Sequence, residues 1–161
     1  MRPAEGWPAG RGNHSMLAGT MTSRGTAAPV HSPPVILLVE DEELVRLSAA
    51  EYLRFSDFHV LEAANADEAL AILTSNTHVD LVFSDVRMPG RLDGFDLAQW
   101  LMTHRPALPV LLTSGYAGLM RDANRSLPVL PKPYSLETLL GRINELLPPA
   151  LLTGYTHRPN D

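Results

Sequence analysis

The chain has 161 residues, a formal net charge of −5, and hydrophobic and charged fractions of 45% and 19%. This length allows one folded domain with tails. The negative charge argues against non-specific binding to nucleic acid or anionic membranes. The absence of cysteine excludes disulfides, thiolate nucleophiles and zinc–thiolate sites. No apolar run approaches the roughly 18 residues of a membrane span. We therefore expect a cytoplasmic protein with neither nucleic acid nor membrane as a partner.

The two ends of the chain differ in composition from the middle. Residues 1–32 are rich in Gly, Pro, Ser, Thr and Ala and show no hydrophobic periodicity. Such a composition buries too little apolar surface to fold alone. We therefore expect a disordered tail over residues 1–32, a folded domain over residues 33–148 and a second tail over residues 149–161.

Within the predicted domain, short apolar runs alternate with segments of helical spacing. The apolar runs predict strands at 35–39, 58–61, 80–84, 109–113 and 127–130. The helical segments are predicted at 42–55, after Asn65, at 93–104, at 117–124 and after Ser135. Asn65 with Glu68 is a variant of the capping box. Alternation of strands and helices predicts an α/β fold, (βα)5, with a parallel sheet.

Charged or polar residues follow four of the predicted strands. They are Glu40 and Asp41 after the first strand, Asp85 after the third, Ser114 after the fourth and Lys132 after the fifth. Residues just past the carboxyl ends of parallel strands converge on one crevice. We therefore expect these five side chains to meet in one pocket.

This set of groups suits a divalent cation and a phosphoryl group. Mg²⁺ prefers oxygen ligands, which two or three carboxylates supply. An ionised Asp85 could attack phosphorus to give an aspartyl phosphate, while Ser114 and Lys132 could bind phosphoryl oxygens. Taken singly, each acid could instead cap a helix or form a turn. The joint arrangement is what favours phosphoryl transfer.

Four segments carry a resemblance to a known family. They are VILLVEDEELVR, LVFSDVRMPG, LPVLLTSGYA and VLPKPY. Over about residues 33–148 the chain resembles the receiver (CheY-like) domain of two-component response regulators. The resemblance implies a flavodoxin-like, doubly wound parallel sheet with strand order 2-1-3-4-5.

The resemblance also implies roles for individual residues. Asp85 would be the phosphoacceptor, Ser114 the switch hydroxyl and Lys132 the lysine of the Lys-Pro motif, with a cis Lys132–Pro133 peptide. The Mg²⁺ ligands would be Glu40, Asp41, Asp85 and the backbone carbonyl of Arg87. Three positions depart from the commonest family pattern: Glu40 replaces an aspartate, the loop between Met88 and Gly94 is one residue longer, and Val129 stands where an aromatic residue is common.

The same resemblance implies partners. The phosphoryl donor would be a histidine kinase or a histidine phosphotransfer protein. The protein would promote its own phosphorylation and dephosphorylation without being an enzyme in the ordinary sense. Because only a short tail follows Leu147, we expect output through contact with an unknown downstream protein.

Two other functions stay open at this point. A Mg²⁺-dependent phosphohydrolase of the haloacid dehalogenase kind also uses an aspartate nucleophile, but usually after the first strand and with a second aspartate two residues later. Here Glu43 stands two residues after Asp41. A pseudo-receiver would bind partners without phosphorylation, and the complete set of Glu40, Asp41, Asp85, Ser114 and Lys132 argues against it.

Overall fold

Five parallel strands form one sheet in the described part of the chain. The computed structural model describes residues 32–115 and 127–152, all within one compact unit. The strands are β1 (Val35–Val39), β2 (His59–Ala63), β3 (Leu81–Asp85), β4 (Val110–Ser114) and β5 (Val129–Pro131). Their order is β2-β1-β3-β4-β5, and every pairing is parallel. The predicted fold class and strand order are confirmed.

Helices follow the strands as the alternating pattern predicts. They are α1 (Glu43–Phe55), α2 (Ala66–Thr74), α3 (Gly94–His104), α4 (Leu136–Leu146) and α5 (Pro149–Leu152). The predicted helix at 117–124 and most of the predicted tails lie outside the described residues. None of the helices in the described ranges is long and apolar enough to cross a membrane.

Helix α5 differs from the sequence prediction, which placed its residues in a tail. The side chains of Leu151 and Leu152 are partly buried against the hydrophobic core on one face of the sheet. Burial of this apolar surface stabilises the short helix, which ends four residues beyond the predicted end of the domain.

Apolar side chains cover both faces of the sheet. On β1, Ile36 and Leu38 join a core with residues of α1 and α4, whereas Leu37 and Val39 join a second core with residues of α2 and α3. Side chains alternate between the faces of a strand, so a continuous aliphatic run supplies both cores. The polar residues of the sequence pattern are thereby left at the strand ends.

Side-chain caps start three of the helices close to the strand ends. Asp93 forms a capping box with Asp96 at the start of α3, and Ser135 accepts a hydrogen bond from the Thr138 N–H at the start of α4. Asn65 accepts from the Glu68 N–H as predicted. The return bond is displaced by one residue, because Glu68 Oε2 accepts from the Ala64 N–H at 2.8 Å.

Gly94 brings the start of α3 against the end of β3. Its N–H donates to the Val86 carbonyl at 2.9 Å. A Cβ on Gly94 would overlap the Asp85 carbonyl oxygen and lie 2.8 Å from Val86 Cα. Only a residue without a Cβ fits this approach, so Gly94 helps to fix the backbone that carries Asp85.

This contact predicts that a methyl group added at position 94 destabilises the fold. We expect Gly94→Ala to lower the free energy of unfolding by about 1–3 kcal/mol, because the backbone at Asp85 must move. Gly141→Ala on α4 is the matched control, since a Cβ there meets nothing within 4 Å. That variant should be as stable as the parent or up to about 1 kcal/mol more stable. Urea unfolding of both variants measures the difference; equal stabilities would contradict the prediction.

Candidate functional site

Three carboxylates lie together at the carboxyl edge of the sheet. β1 and β3 are neighbours, so Glu40, directly after β1, and Asp85, the last residue of β3, share this edge. Glu40, Asp41 and Asp85 each offer an oxygen within 4.8 Å of the others. Glu40 and Asp85 are only 3% and 7% exposed, whereas Asp41 is exposed. The arrangement presents acidic oxygens to one small volume.

The Lys132 ammonium connects two of these acids. Lys132 follows β5, and its Nζ lies 2.6 Å from Asp85 Oδ2 and 3.2 Å from Glu40 Oε2. The Lys132–Pro133 peptide is cis, as the family resemblance implies. The Lys132 ammonium is therefore paired with two buried carboxylates.

The pKa values of Glu40 and Lys132 reflect this pairing. Burial raises the pKa of the Glu40 carboxyl above its usual 4.5, against the opposing charge of Lys132, and the Asp85 charge raises it further. Burial alone would lower the pKa of the Lys132 ammonium. The hydrogen bond and charge of Asp85, together with Glu40, outweigh burial and raise that pKa above 10.5. Lys132 thus carries its charge at neutral pH.

Ser114 joins the site through the backbone. It is the last residue of β4 and only 4% exposed. Its carbonyl accepts a hydrogen bond from the Lys132 N–H at 2.9 Å. The ends of β4 and β5 are therefore tied together, with Ser114 and Lys132 on adjacent strand ends.

Arg87 contacts the same acidic centre through its amide. The residue is exposed and lies two positions after Asp85, and its N–H donates to Asp85 Oδ1 at 3.2 Å. Asp85 is therefore held at both oxygens, by Arg87 at one and by Lys132 at the other. The metal-binding role of the Arg87 carbonyl stays a prediction.

The helix-capping alternative for the first acidic residue has some support. Glu40 Oε1 accepts from the Glu42 N–H at 3.2 Å, next to the start of α1. The other oxygen of the same carboxylate binds Lys132. Glu40 thus contacts both the helix start and the acidic centre.

The amino-acid sequence does not predict one contact to the acidic pair. Arg46, on α1, donates from Nη1 to the Glu40 carbonyl at 2.7 Å. It is the fourth residue of α1 and lies five residues after Asp41, and that spacing gives no sign of a bond to a backbone carbonyl. Nothing in the local pattern distinguishes Arg46 from an exposed helical arginine.

The donor atoms fit a magnesium ion. Oxygen ligands are the ones Mg²⁺ prefers, and it is commonly held by one or two carboxylates while keeping several waters. Glu40, Asp41 and Asp85 supply oxygens close enough to share one ion, and the exposure of Asp41 leaves access for water. A cation next to a carboxylate and an ammonium is a setting suited to phosphoryl transfer.

Comparison with known proteins gives the family. A family model described as the response regulator receiver domain matches residues 36–144, more than half of the chain. The chain belongs to the family of response regulator receiver domains. Receiver domains act in two-component systems.

Individual relatives agree with this assignment. The receiver is 38% identical over 129 residues to the sensor kinase CckA of Brucella abortus, a match that covers 75% of this chain and 13% of the kinase. The crystal structure of the receiver domain from hybrid histidine kinase CckA is 40% identical, with a TM-score of 0.59, and covers 71% of this chain and 99% of that chain.

A less similar solved structure is a complex with Mg²⁺–BeF. It is the response regulator protein TrrA of Thermotoga maritima in complex with Mg²⁺–BeF, which is 25% identical with a TM-score of 0.65. The match covers 71% of this chain and 99% of that chain. The curated sensor kinase is far longer, and this chain spans only 13% of it.

The raised pKa of Glu40 predicts how one substitution changes stability with pH. A carboxyl whose pKa is raised by folding stabilises the fold when protonated and destabilises it once ionised. In metal-free protein, Glu40→Gln should therefore raise the melting temperature by a few degrees at pH 7. The gain should disappear below pH 4.5, where the parent carboxyl is protonated as well.

Lys132 keeps Asp85 as a partner in this variant. The loss of its pairing with Glu40 therefore does not turn the expected rise in melting temperature into a fall. Glu51→Gln, at an exposed position of α1, is the control and should change the melting temperature little at either pH. Thermal unfolding in chelator at several pH values tests the prediction. A lower melting temperature for Glu40→Gln at pH 7 would contradict it.

Proposed function

We propose that the chain is a phosphoacceptor of two-component signalling, in which Asp85 takes a phosphoryl group from a phosphohistidine. The observation that carries this proposal is the contact of Lys132 Nζ with Asp85 Oδ2 at 2.6 Å, beside the carboxylates of Glu40 and Asp41. A nucleophilic carboxylate with a fixed cation at its side is suited to receive a phosphoryl group.

The proposed cofactor is Mg²⁺, held by Glu40, Asp41, Asp85 and the Arg87 carbonyl. When bound, the ion would neutralise charge on the phosphoryl oxygens. The acidic cluster and the Mg²⁺–BeF complex of TrrA support this part of the proposal.

The side chains would divide the chemistry among themselves. An Asp85 carboxylate oxygen forms the new bond to phosphorus while the bond from phosphorus to the donor imidazole nitrogen breaks. Lys132 leaves its ion pair with Asp85 and binds a phosphoryl oxygen, since its charge is then needed there. The Ser114 hydroxyl donates to another phosphoryl oxygen. Catalysis is thus positioning and charge neutralisation, without a proton transfer by these groups.

The donor would be a histidine kinase or a histidine phosphotransfer protein in the cytoplasm. The phosphorylated domain, residues 33–148, would act by contact with a downstream protein, with no role for nucleic acid or membrane. The tail at 1–32 would be dispensable for the chemistry. The family match does not favour a phosphohydrolase or a phosphorylation-independent pseudo-receiver.

The proposal predicts a single essential acceptor. Incubation with acetyl phosphate and Mg²⁺ should add one phosphoryl group to the parent, and chelation of Mg²⁺ should prevent this. Asp85→Asn should reduce labelling to background, because an amide is too weak a nucleophile. Asp67→Asn, an exposed position on α2, is the control and should label like the parent.

Intact-protein mass spectrometry measures the added group under conditions that preserve acyl phosphates. Labelling of Asp85→Asn at the parent level would disprove the assignment of Asp85. Parent protein that takes no phosphoryl group from acetyl phosphate or from a phosphorylated histidine kinase would disprove the proposed function itself.

A further inference from the structure

We propose that Arg46 is a positioning residue for the acidic pair, which it orders by binding the peptide group between Glu40 and Asp41. This inference rests on the proposed function, because the acidic pair is there proposed to hold Mg²⁺. It adds a residue outside the acidic centre itself.

The guanidinium of Arg46 joins three elements of the fold. Arg46 belongs to α1, its Nη1 donates to the Glu40 carbonyl at 2.7 Å, and its Nε lies 3.5 Å from Glu62 Oε2 on β2. The Arg46 side chain is only 16% exposed. An arginine side chain that is mostly covered and whose guanidinium has two partners is restricted in orientation, unlike an exposed arginine.

The bound carbonyl lies where the strand ladder ends. Glu40 directly follows β1, and its N–H still donates to the Ala63 carbonyl at 3.1 Å, in continuation of the pairing with β2. The Glu40 carbonyl instead accepts from Arg46. A buried carbonyl needs a hydrogen-bond partner. A hydrogen bond from a charged guanidinium is stronger than one from a neutral amide.

This carbonyl belongs to the peptide group that connects the two acidic residues. Because the peptide group is planar, a restraint on its oxygen limits rotation at Glu40 and at Asp41 together. In other proteins, removing a residue that forms hydrogen bonds to a metal ligand typically weakens metal affinity by about 10–100-fold. Loss of Arg46 should therefore weaken metal binding without removing a ligand.

A second arginine on the same helix separates this role from the loss of a positive charge and of a bond to Glu62. Arg54 lies 2.8 Å from Glu62 Oε1 and donates to the Val60 carbonyl at 3.0 Å. It shares with Arg46 the helix, the charge and the carboxylate partner, but its bonds are to β2 and not to the acidic pair. Arg54→Met is therefore the matched control for Arg46→Met.

The test uses the full chain and Mn²⁺ as the probe, with free Mn²⁺ measured by electron paramagnetic resonance and Mg²⁺ as competitor. We expect Arg46→Met to raise the Kd roughly tenfold or more. Arg54→Met should leave the Kd within about twofold of the parent value, because the contacts that it removes do not involve a proposed metal ligand. Arg46→Lys, which restores the charge and a single donor, should give an intermediate Kd.

Phosphorylation by acetyl phosphate gives a second readout. In Arg46→Met the Mg²⁺ concentration for half-maximal rate should rise, while the rate at saturating Mg²⁺ should return towards that of the parent. A general loss of structure would lower the rate at every Mg²⁺ concentration. Thermal unfolding of each variant, run alongside, measures the effect on stability.

Equal Kd values for Arg46→Met and Arg54→Met would overturn the inference. If Arg46→Met fails to fold, Arg46→Lys decides, and a Kd equal to that of the parent would overturn the inference. Failure of the parent to bind Mn²⁺ in competition with Mg²⁺ would instead overturn the metal site of the proposed function. The two failures are therefore distinguishable.

Discussion

The ion pair between the Lys132 ammonium and two carboxylates is the interaction on which the site depends. Glu40 and Asp85 are almost fully buried, and like charges so close would repel each other without a cation. Lys132 lies 2.6 Å from Asp85 and 3.2 Å from Glu40, which are 47 and 92 residues away in the chain. Only the parallel sheet brings these residues together, so the fold and the electrostatics of the site are inseparable.

Separate backbone contacts hold the strand ends that carry the charged groups. Gly94 allows α3 to approach the backbone of Asp85, and Arg46 binds the carbonyl of Glu40. The Lys132 N–H binds the carbonyl of Ser114. These contacts lie outside the acidic centre and leave its oxygen atoms available. Rigid support of this kind is what charge stabilisation in a preorganised site requires.

The strands of the sheet could be predicted from the sequence, but the contacts that hold the strand ends in place could not. Unbroken aliphatic runs such as Val35–Val39 identified the strands, and the family resemblance implied their order, because topology depends on contacts that periodicity does not record. The bond from Arg46 depends on the orientation of one carbonyl, and the contact of Gly94 depends on the distance between two segments. Neither contact can be predicted from the spacing of residues along the chain. The short helix at Pro149–Leu152 was missed because two leucines are too few to show a period.

The proposed chemistry depends on Asp85 as the residue that receives the phosphoryl group. The most direct test is to treat phosphorylated parent protein with borohydride, which reduces an acyl phosphate to an alcohol, and to locate the reduced residue by peptide mass spectrometry. Reduction of residue 85 alone, converting its aspartate to homoserine, is the predicted result. Reduction at residue 40 or 41, or label that resists borohydride, would contradict the account.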